Sequence, residues 1–279
     1  MSPTELPDAL RGVKALTFDV FGTTVDWRCT VEAELAERAR SKAASSSAAE
    51  LQQTPALAQL AAQTADDWAA FAQAWRDSYS QFTQTFVPGI TPWKDIDSHH
   101  LDSLRELLRA RGLEGAYTDA EVRDLSLVWH RLRPWADSTE GLRRLTDDAG
   151  LVTTTLSNGN RELLAALAAH GGLGFSRITS AADFSAYKPD PRVYRGAVAA
   201  LGFEDRPGDV AMVAAHLNDL AGARACGLRT IYVERPREEA WGPDEDRYKE
   251  ARDWVDMWVR EGEGGFLEVA RRLGGALTR

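Results

Sequence analysis

Asp19-Val20-Phe21-Gly22-Thr23 follows directly on the apolar run Val13-Lys14-Ala15-Leu16-Thr17-Phe18. A carboxylate at the end of a strand, followed by a glycine turn and a hydroxyl, is a candidate nucleophile at the mouth of a sheet. Taken alone, the same pattern is equally that of an aspartate capping a turn. Phe21 sharpens the reading, because a phenyl ring can neither donate nor accept a proton. With no acid/base group two residues on, Asp19 is expected to attack something other than a phosphoryl group.

Three further clusters could work with it. Ser157 and Asn158 supply a hydroxyl, an amide and backbone N–H groups near the start of a helix, a setting that suits an anion, although Ser-Asn-Gly is also an ordinary turn. Lys188 is held against a proline in Ser185-Ala186-Tyr187-Lys188-Pro189-Asp190-Pro191, just before Val193 and Tyr194. An ammonium fixed beside Asp19 would keep that carboxylate ionised; by itself Lys188 reads as an exposed lysine in a proline turn. His216-Leu217-Asn218-Asp219 offers an imidazole and a second carboxylate, or a polar turn and a helix cap. His99, His100, His130 and His170 lack ligand spacing and read as structural or exposed.

These clusters need a scaffold that brings strand ends together. Strands are expected at 13–18, 151–156, 210–214 and 229–233, the first three each ending in a polar or glycine-containing turn. Short β-branched strands alternating with helices indicate an α/β fold with a parallel sheet, whose chemistry gathers outside the carboxyl ends of the strands. From about 31 to 132 the pattern is helical with hardly a strand. Trp68, Phe71, Ala72 and Trp75 share a helix face, as do Leu101, Leu104, Leu107 and Leu108, and Thr118-Asp119-Ala120-Glu121 is a capping box. The expected organisation is a core of residues 1–25 and 136–279 with a helical cap, 26–135, inserted after the first strand; Pro134 marks its exit. Ser41 to Ser47 reads as a flexible link or frayed helix. Residues 234–263 carry eleven acids and six bases around Trp241, Tyr248, Trp254, Met257 and Trp258, and read as an amphipathic surface helix.

Composition narrows the partners. A net charge of −9 argues against nucleic acid or an anionic membrane, which favour basic faces. The only cysteines, Cys29 and Cys226, suggest neither a disulfide framework nor a thiolate metal site. Met1 to Asp8 shows no export-signal pattern and no run approaches a membrane span, so a cytoplasmic location is expected.

The ordered set Asp-x-x-Gly-Thr, Ser-Asn, Lys-Pro and Asp resembles the haloacid dehalogenase superfamily, and more narrowly its type II (L-2-haloacid) dehalogenases. Phe21 stands where those enzymes carry tyrosine, and Lys188-Pro189-Asp190-Pro191-Arg192-Val193-Tyr194 matches their Lys-Pro-Asp-x-Arg-Val-Tyr. Trp75-Arg76 and the run Trp129-His130-Arg131-Leu132-Arg133-Pro134-Trp135 also look like their counterparts. The resemblance implies a Rossmann-like core with a cap and hydrolysis of short 2-haloalkanoic acids through an ester on Asp19. It implies neither metal nor cofactor, and points to a homodimer.

Residue by residue, the resemblance makes Asp19 the nucleophile, positioned by Thr23 and oriented by Lys188, with Asp219 balancing the lysine and placing the hydrolytic water. Arg76, Phe21, Ser157, Asn158 and Tyr194 fall on the substrate and halide side, Tyr194 also supporting Lys188. The fourth motif departs from the usual Ser-x-Asn, with Ala214 and His216 in those places. His216 is expected to hold the water in the asparagine's stead or to act as a base with Asp219. The alternatives are a Mg²⁺-dependent phosphatase, against which Phe21 argues, another hydrolase on the same scaffold, or a binding protein that has lost catalysis.

Overall fold

A computed structural model of the chain describes residues 6–277; residues 1–5, the start of the stretch read above for an export signal, lie outside them. Two compact units emerge, Met1–Asp26 with Arg133–Arg279, and Trp27–Leu132.

The first unit is built on a five-stranded parallel sheet. Its strands are β1 (Ala15–Phe18), β4 (Val152–Thr155), β5 (Val210–Ala214), β6 (Arg229–Val233) and β7 (Met257–Val259), in the order β4-β1-β5-β6-β7. The residues of β1 and β5 are all buried, which is why both read as nearly unbroken apolar runs: helices cover both faces of such a sheet. Phe18 lies opposite Thr155 on one side and Val213 on the other. Asp19, Ser157 and His216 therefore leave the sheet at neighbouring strand ends. The chain steps outward from β1 to β4 and then crosses to β5, so the topological switch falls beside β1, where crevices form in open α/β sheets. Two short strands, β2 (Val25–Asp26) and β3 (Arg133–Pro134), pair antiparallel where the chain leaves this unit and returns.

The acidic stretch differs from the sequence expectation. It forms a helix, Asp246–Trp254, and then β7, which adds Met257 and Trp258 to the sheet as its fifth strand. Trp241, Tyr248, Trp254 and Trp258 pack against the apolar core, so the aromatic residues do point inward as expected. A last helix, Gly265–Leu277, buries Phe266, Val269, Ala270 and Leu273, one stripe at helical spacing.

The second unit consists of helices Trp27–Ser45, Ala48–Gln53, Pro55–Ala61, Ala65–Thr85, Ile96–Ala110 and Asp119–Ser126, with a short 3₁₀ turn at Leu127–His130. The Thr118 capping box forms as the sequence predicts. The Ala/Ser-rich stretch is not a free link: alanine carries the first helix to Ser45, the hydroxyls of Ser45 and Ser46 donate to Lys42 O, and Ser47 caps the next helix. Trp75, Trp129 and Phe71 form the aromatic centre of this unit, with the His100 ring stacked 4.5 Å from that of Trp129. Burial pushes His99 down to about 4 and His100 well below its ordinary value, so both are neutral packing residues, as their spacing suggested. Among the described residues no helix is long and apolar enough to cross a membrane.

Candidate active site

Asp19 continues the β1 ladder, its N–H donating to Val213 O at 3.0 Å, and then turns out of the sheet. Gly22 allows that turn, adopting φ +86, which side-chain-bearing residues rarely reach. The turn returns Thr23 beneath the carboxylate. Its hydroxyl donates to Asp19 Oδ2 at 2.7 Å and accepts from Ala215 N at 2.9 Å, so the backbone after β5 fixes the direction in which the hydroxyl proton points.

Lys188 closes the other side. Its Nζ lies 2.8 Å from Asp19 Oδ1 and 2.5 Å from Asp219 Oδ2, and all three side chains are almost fully buried. The lysine is delivered by its own backbone: Lys188 N donates to Asn158 Oδ1 at 2.7 Å. Asn158 thus spends its carbonyl on the lysine loop. Ser157 is buried at the end of β4, its hydroxyl accepting from Gly159 N at 3.4 Å. Tyr194, grouped above with the substrate side, is fully buried, and its hydroxyl donates to Asp219 Oδ1 at 2.6 Å. It supports Lys188 only through Asp219.

Burial opposes every charge here, and the pairing overrides it unevenly. Burial raises the Asp19 carboxyl, but the charge of Lys188 and the hydrogen bond and charge of His216 hold it far below the usual carboxylate range. Lys188 is raised: burial lowers it, and the charges of Asp19 and Asp219 more than offset that. Asp219 is raised, by burial first, against the pull of Lys188 and with the repulsion of Asp19. Of the two carboxylates that share the lysine, Asp19 is the firmly ionised one.

His216 sits at the N-terminal boundary of the helix Leu217–Ala225. It is not paired with Asp219, as one sequence expectation had it. Its Nδ1 stands 3.1 Å from Asp19 Oδ2, and its Nε2 stands 3.4 Å from Glu238 Oε2. Burial would lower its pKa, but the hydrogen bonds to Asp19 and Glu238 lift it to about 9, so it is an imidazolium at neutral pH.

Glu238 escaped the sequence reading, as did Glu239 and Arg235. All three follow β6. Glu239 Oε2 accepts from Leu217 N, the first amide of the helix that begins after His216, at 2.7 Å. Arg235 donates from Nε to Thr23 O at 3.0 Å and forms a two-point pair with Asp137 at 2.7 and 2.8 Å. The signal was present: 229–233 is the fourth strand of the predicted sheet, and its carboxyl end lies on the same edge as the other three. Arg76 lies in the helical unit, its guanidinium 4.7 Å from the ring centroid of Tyr79 and 5.7 Å from that of Trp27.

Chemically, the core unit presents a dry, ionised carboxylate with two hydrogen-bonded cations and one hydroxyl on it, and a Lys188 ammonium between two acids. That arrangement suits nucleophilic attack followed by attack of water on the resulting ester.

Comparison with known proteins agrees. A family model described as haloacid dehalogenase-like hydrolase matches residues 13–227. The chain is 28% identical over 196 residues to (S)-2-haloacid dehalogenase 1 of Pseudomonas sp. (strain CBS-3), covering 67% of this chain and 82% of that protein. A crystal structure of a defluorinating L-2-haloacid dehalogenase superposes with a TM-score of 0.77 at 30% identity, covering 96% of this chain and 98% of the other. Another L-2-haloacid dehalogenase gives 0.71 at 33% identity, covering 94% and 99%. The chain belongs to the haloacid dehalogenase-like hydrolases.

Proposed function

We propose that this protein hydrolyses short (S)-2-haloalkanoic acids and haloacetates to 2-hydroxy acids through an ester on Asp19. The observation that carries the reading is the Asp19 carboxylate itself, held ionised by Lys188 at 2.8 Å with Phe21, not an acid, two residues away.

Asp19 Oδ1 carries one donor, Lys188, whereas Oδ2 carries Thr23 and His216. The less encumbered Oδ1 attacks the carbon bearing the halogen. The C–O bond forms as the C–X bond breaks, the halide leaves with the bonding pair, and the carbon inverts. Oδ2 remains as the ester carbonyl, with the Thr23 hydroxyl on it where negative charge develops when water adds. Arg76 is the cationic group for the halide and can also hold the substrate carboxylate, and Ser157 and Asn158 are donors for carboxylate or halide; both assignments rest on the motifs. The helical unit would serve as the cap, and a cytoplasmic homodimer belongs to the same reading.

Proton accounting gives His216 its part. Once Asp19 is esterified, its charge is gone and the imidazolium has lost one of its two carboxylate partners. It releases its Nδ1 proton to solvent, while Glu238 keeps hold of the Nε2–H. Neutral His216 then takes a proton from the water attacking Asp19 Cγ and passes it to the departing alkoxide. The regenerated Asp19 acid returns its proton to His216, so each turnover yields one hydroxy acid, one halide and one proton.

The test is halide release from chloroacetate and from both enantiomers of 2-chloropropionate, with EDTA present, for wild type and Asp19→Asn. Turnover of the S enantiomer to R-lactate, abolished in the variant, supports the reading. Mg²⁺-dependent phosphate release without halide would sink it in favour of a phosphatase.

A further inference from the structure

We propose that Arg235 is a positioning residue for Asp19, acting through the backbone of Thr23; this rests on reading Asp19 as the nucleophile. Three successive carbonyls in the turn that carries Asp19 are each held by a donor. Gly22 O accepts from Trp135 Nε1 at 3.0 Å, and Thr23 O from Arg235 Nε at 3.0 Å. Thr24 O accepts from Ser138 Oγ at 2.7 Å and Trp135 N at 3.2 Å.

Arg235 is the centre of this clamp. It is buried, its guanidinium is aligned by both oxygens of Asp137, and the rings of Trp135 and Phe266 lie with their centroids 5.2 Å from its Cζ. Asp137 is itself fixed by Phe266 N at 2.6 Å. The space is built around the pair: a Cβ at Gly265 would lie 2.2 Å from Asp137 Oδ2 and 2.8 Å from Arg235 Nη1.

The connection to chemistry runs through Thr23. A β-branched side chain has little rotamer freedom, so fixing the Thr23 backbone fixes where its hydroxyl points. That hydroxyl holds Asp19 Oδ2 at 2.7 Å. Lysine cannot replace the arginine, because it has no rigid fork to reach a carbonyl and both carboxylate oxygens together.

The test uses the full chain with Arg235→Lys and, should that variant not fold, Asp137→Asn. NMR titration of His216 needs no turnover. Its midpoint, expected near 9 in the wild type, should fall by at least half a unit when Asp19 Oδ2 is no longer fixed against it. In halide release, kcat falls at least tenfold with KM within twofold, and adding Arg235→Lys to Thr23→Val lowers kcat less than twofold further. An unchanged His216 midpoint with only a lower melting temperature would overturn the proposal. So would a tenfold loss that persists in Thr23→Val. A wild type that releases no halide would defeat the functional reading, while the His216 titration would still decide the clamp.

Discussion

His216 Nδ1 and Asp19 Oδ2 stand 3.1 Å apart, which joins the proposed nucleophile to an imidazole. The pair makes stability depend on alkaline pH. The folded pKa of His216, about 9, exceeds its ordinary 6.5, so its contribution is complete below about pH 6.5 and is lost as pH rises through 9. The size is on the order of 3 kcal/mol by the usual conversion of pKa units to free energy. Urea unfolding between pH 6 and 10 should show that decline in wild type relative to His216→Asn. Parallel profiles would mean that His216 folds as a neutral ring.

In the proposed reaction, the same histidine should separate the two chemical steps. His216→Asn and Glu238→Gln leave Asp19, Thr23 and Lys188 in place, so alkylation should proceed and ester hydrolysis should lag. Loss of a general base slows that step by roughly 10²–10⁴-fold. Mixing either variant with (S)-2-chloropropionate should give a burst of about one halide per enzyme, and mass spectrometry should find Asp19 carrying the carboxyalkyl group. Slow halide release without a burst would place His216 in the first step.

Gly22 is required twice over, by its φ of +86 and by Glu238, whose Oε2 would lie 2.0 Å from a Cβ at that position. Gly22→Ala should therefore do more than strain the turn, which alone costs about 1–3 kcal/mol. It should push Glu238 away from His216. Chemical denaturation of Gly22→Ala, Glu238→Ala and the double variant should be non-additive, with part of the Gly22→Ala loss absent when Glu238 is already gone. Strict additivity would show that the glycine answers to backbone conformation alone.

Much of this was legible before folding, and for a reason. A parallel strand buried on both faces is a run such as Val210–Ala214, and a residue at its end is marked by position as well as by type. Asp19, Ser157 and His216 were singled out that way, and Lys188 by its place against a proline just before a helix. β7 was missed because three residues, Met257–Val259, are too short to show a period among acids. Glu238, Glu239 and Arg235 were missed because charge in an acidic stretch looks like a solvated face. Only the fold reveals that Glu238 is buried on His216 and Arg235 on Thr23. The pairing of His216 with Glu238 and not Asp219 is likewise invisible in sequence, since Asp219 lies three residues from it and Glu238 twenty-two.

Lys188 is the group whose loss should be felt most, and the sign of its pH dependence identifies why. Its Nζ neutralises two buried carboxylates, Asp19 at 2.8 Å and Asp219 at 2.5 Å. Lys188→Met removes the cation the two acids share and leaves Asp219 out of water with no cation on it, while Asp19 keeps His216. Removing one side of a buried pair costs about 3–5 kcal/mol. Without the ammonium, burial and mutual repulsion raise the folded pKa of at least one carboxyl above its unfolded value. A group raised in this way is stable in the folded state at low pH and loses that stability as pH rises. The deficit of Lys188→Met relative to wild type should therefore be greatest near pH 8 and shrink toward pH 5, as a proton takes the lysine's place. Denaturation curves at pH 5 and pH 8 decide it. A deficit independent of pH would mean that Lys188 holds the loop by packing and not by charge, and halide release should then survive the substitution, whereas the charge reading requires it to be lost at every pH in that range.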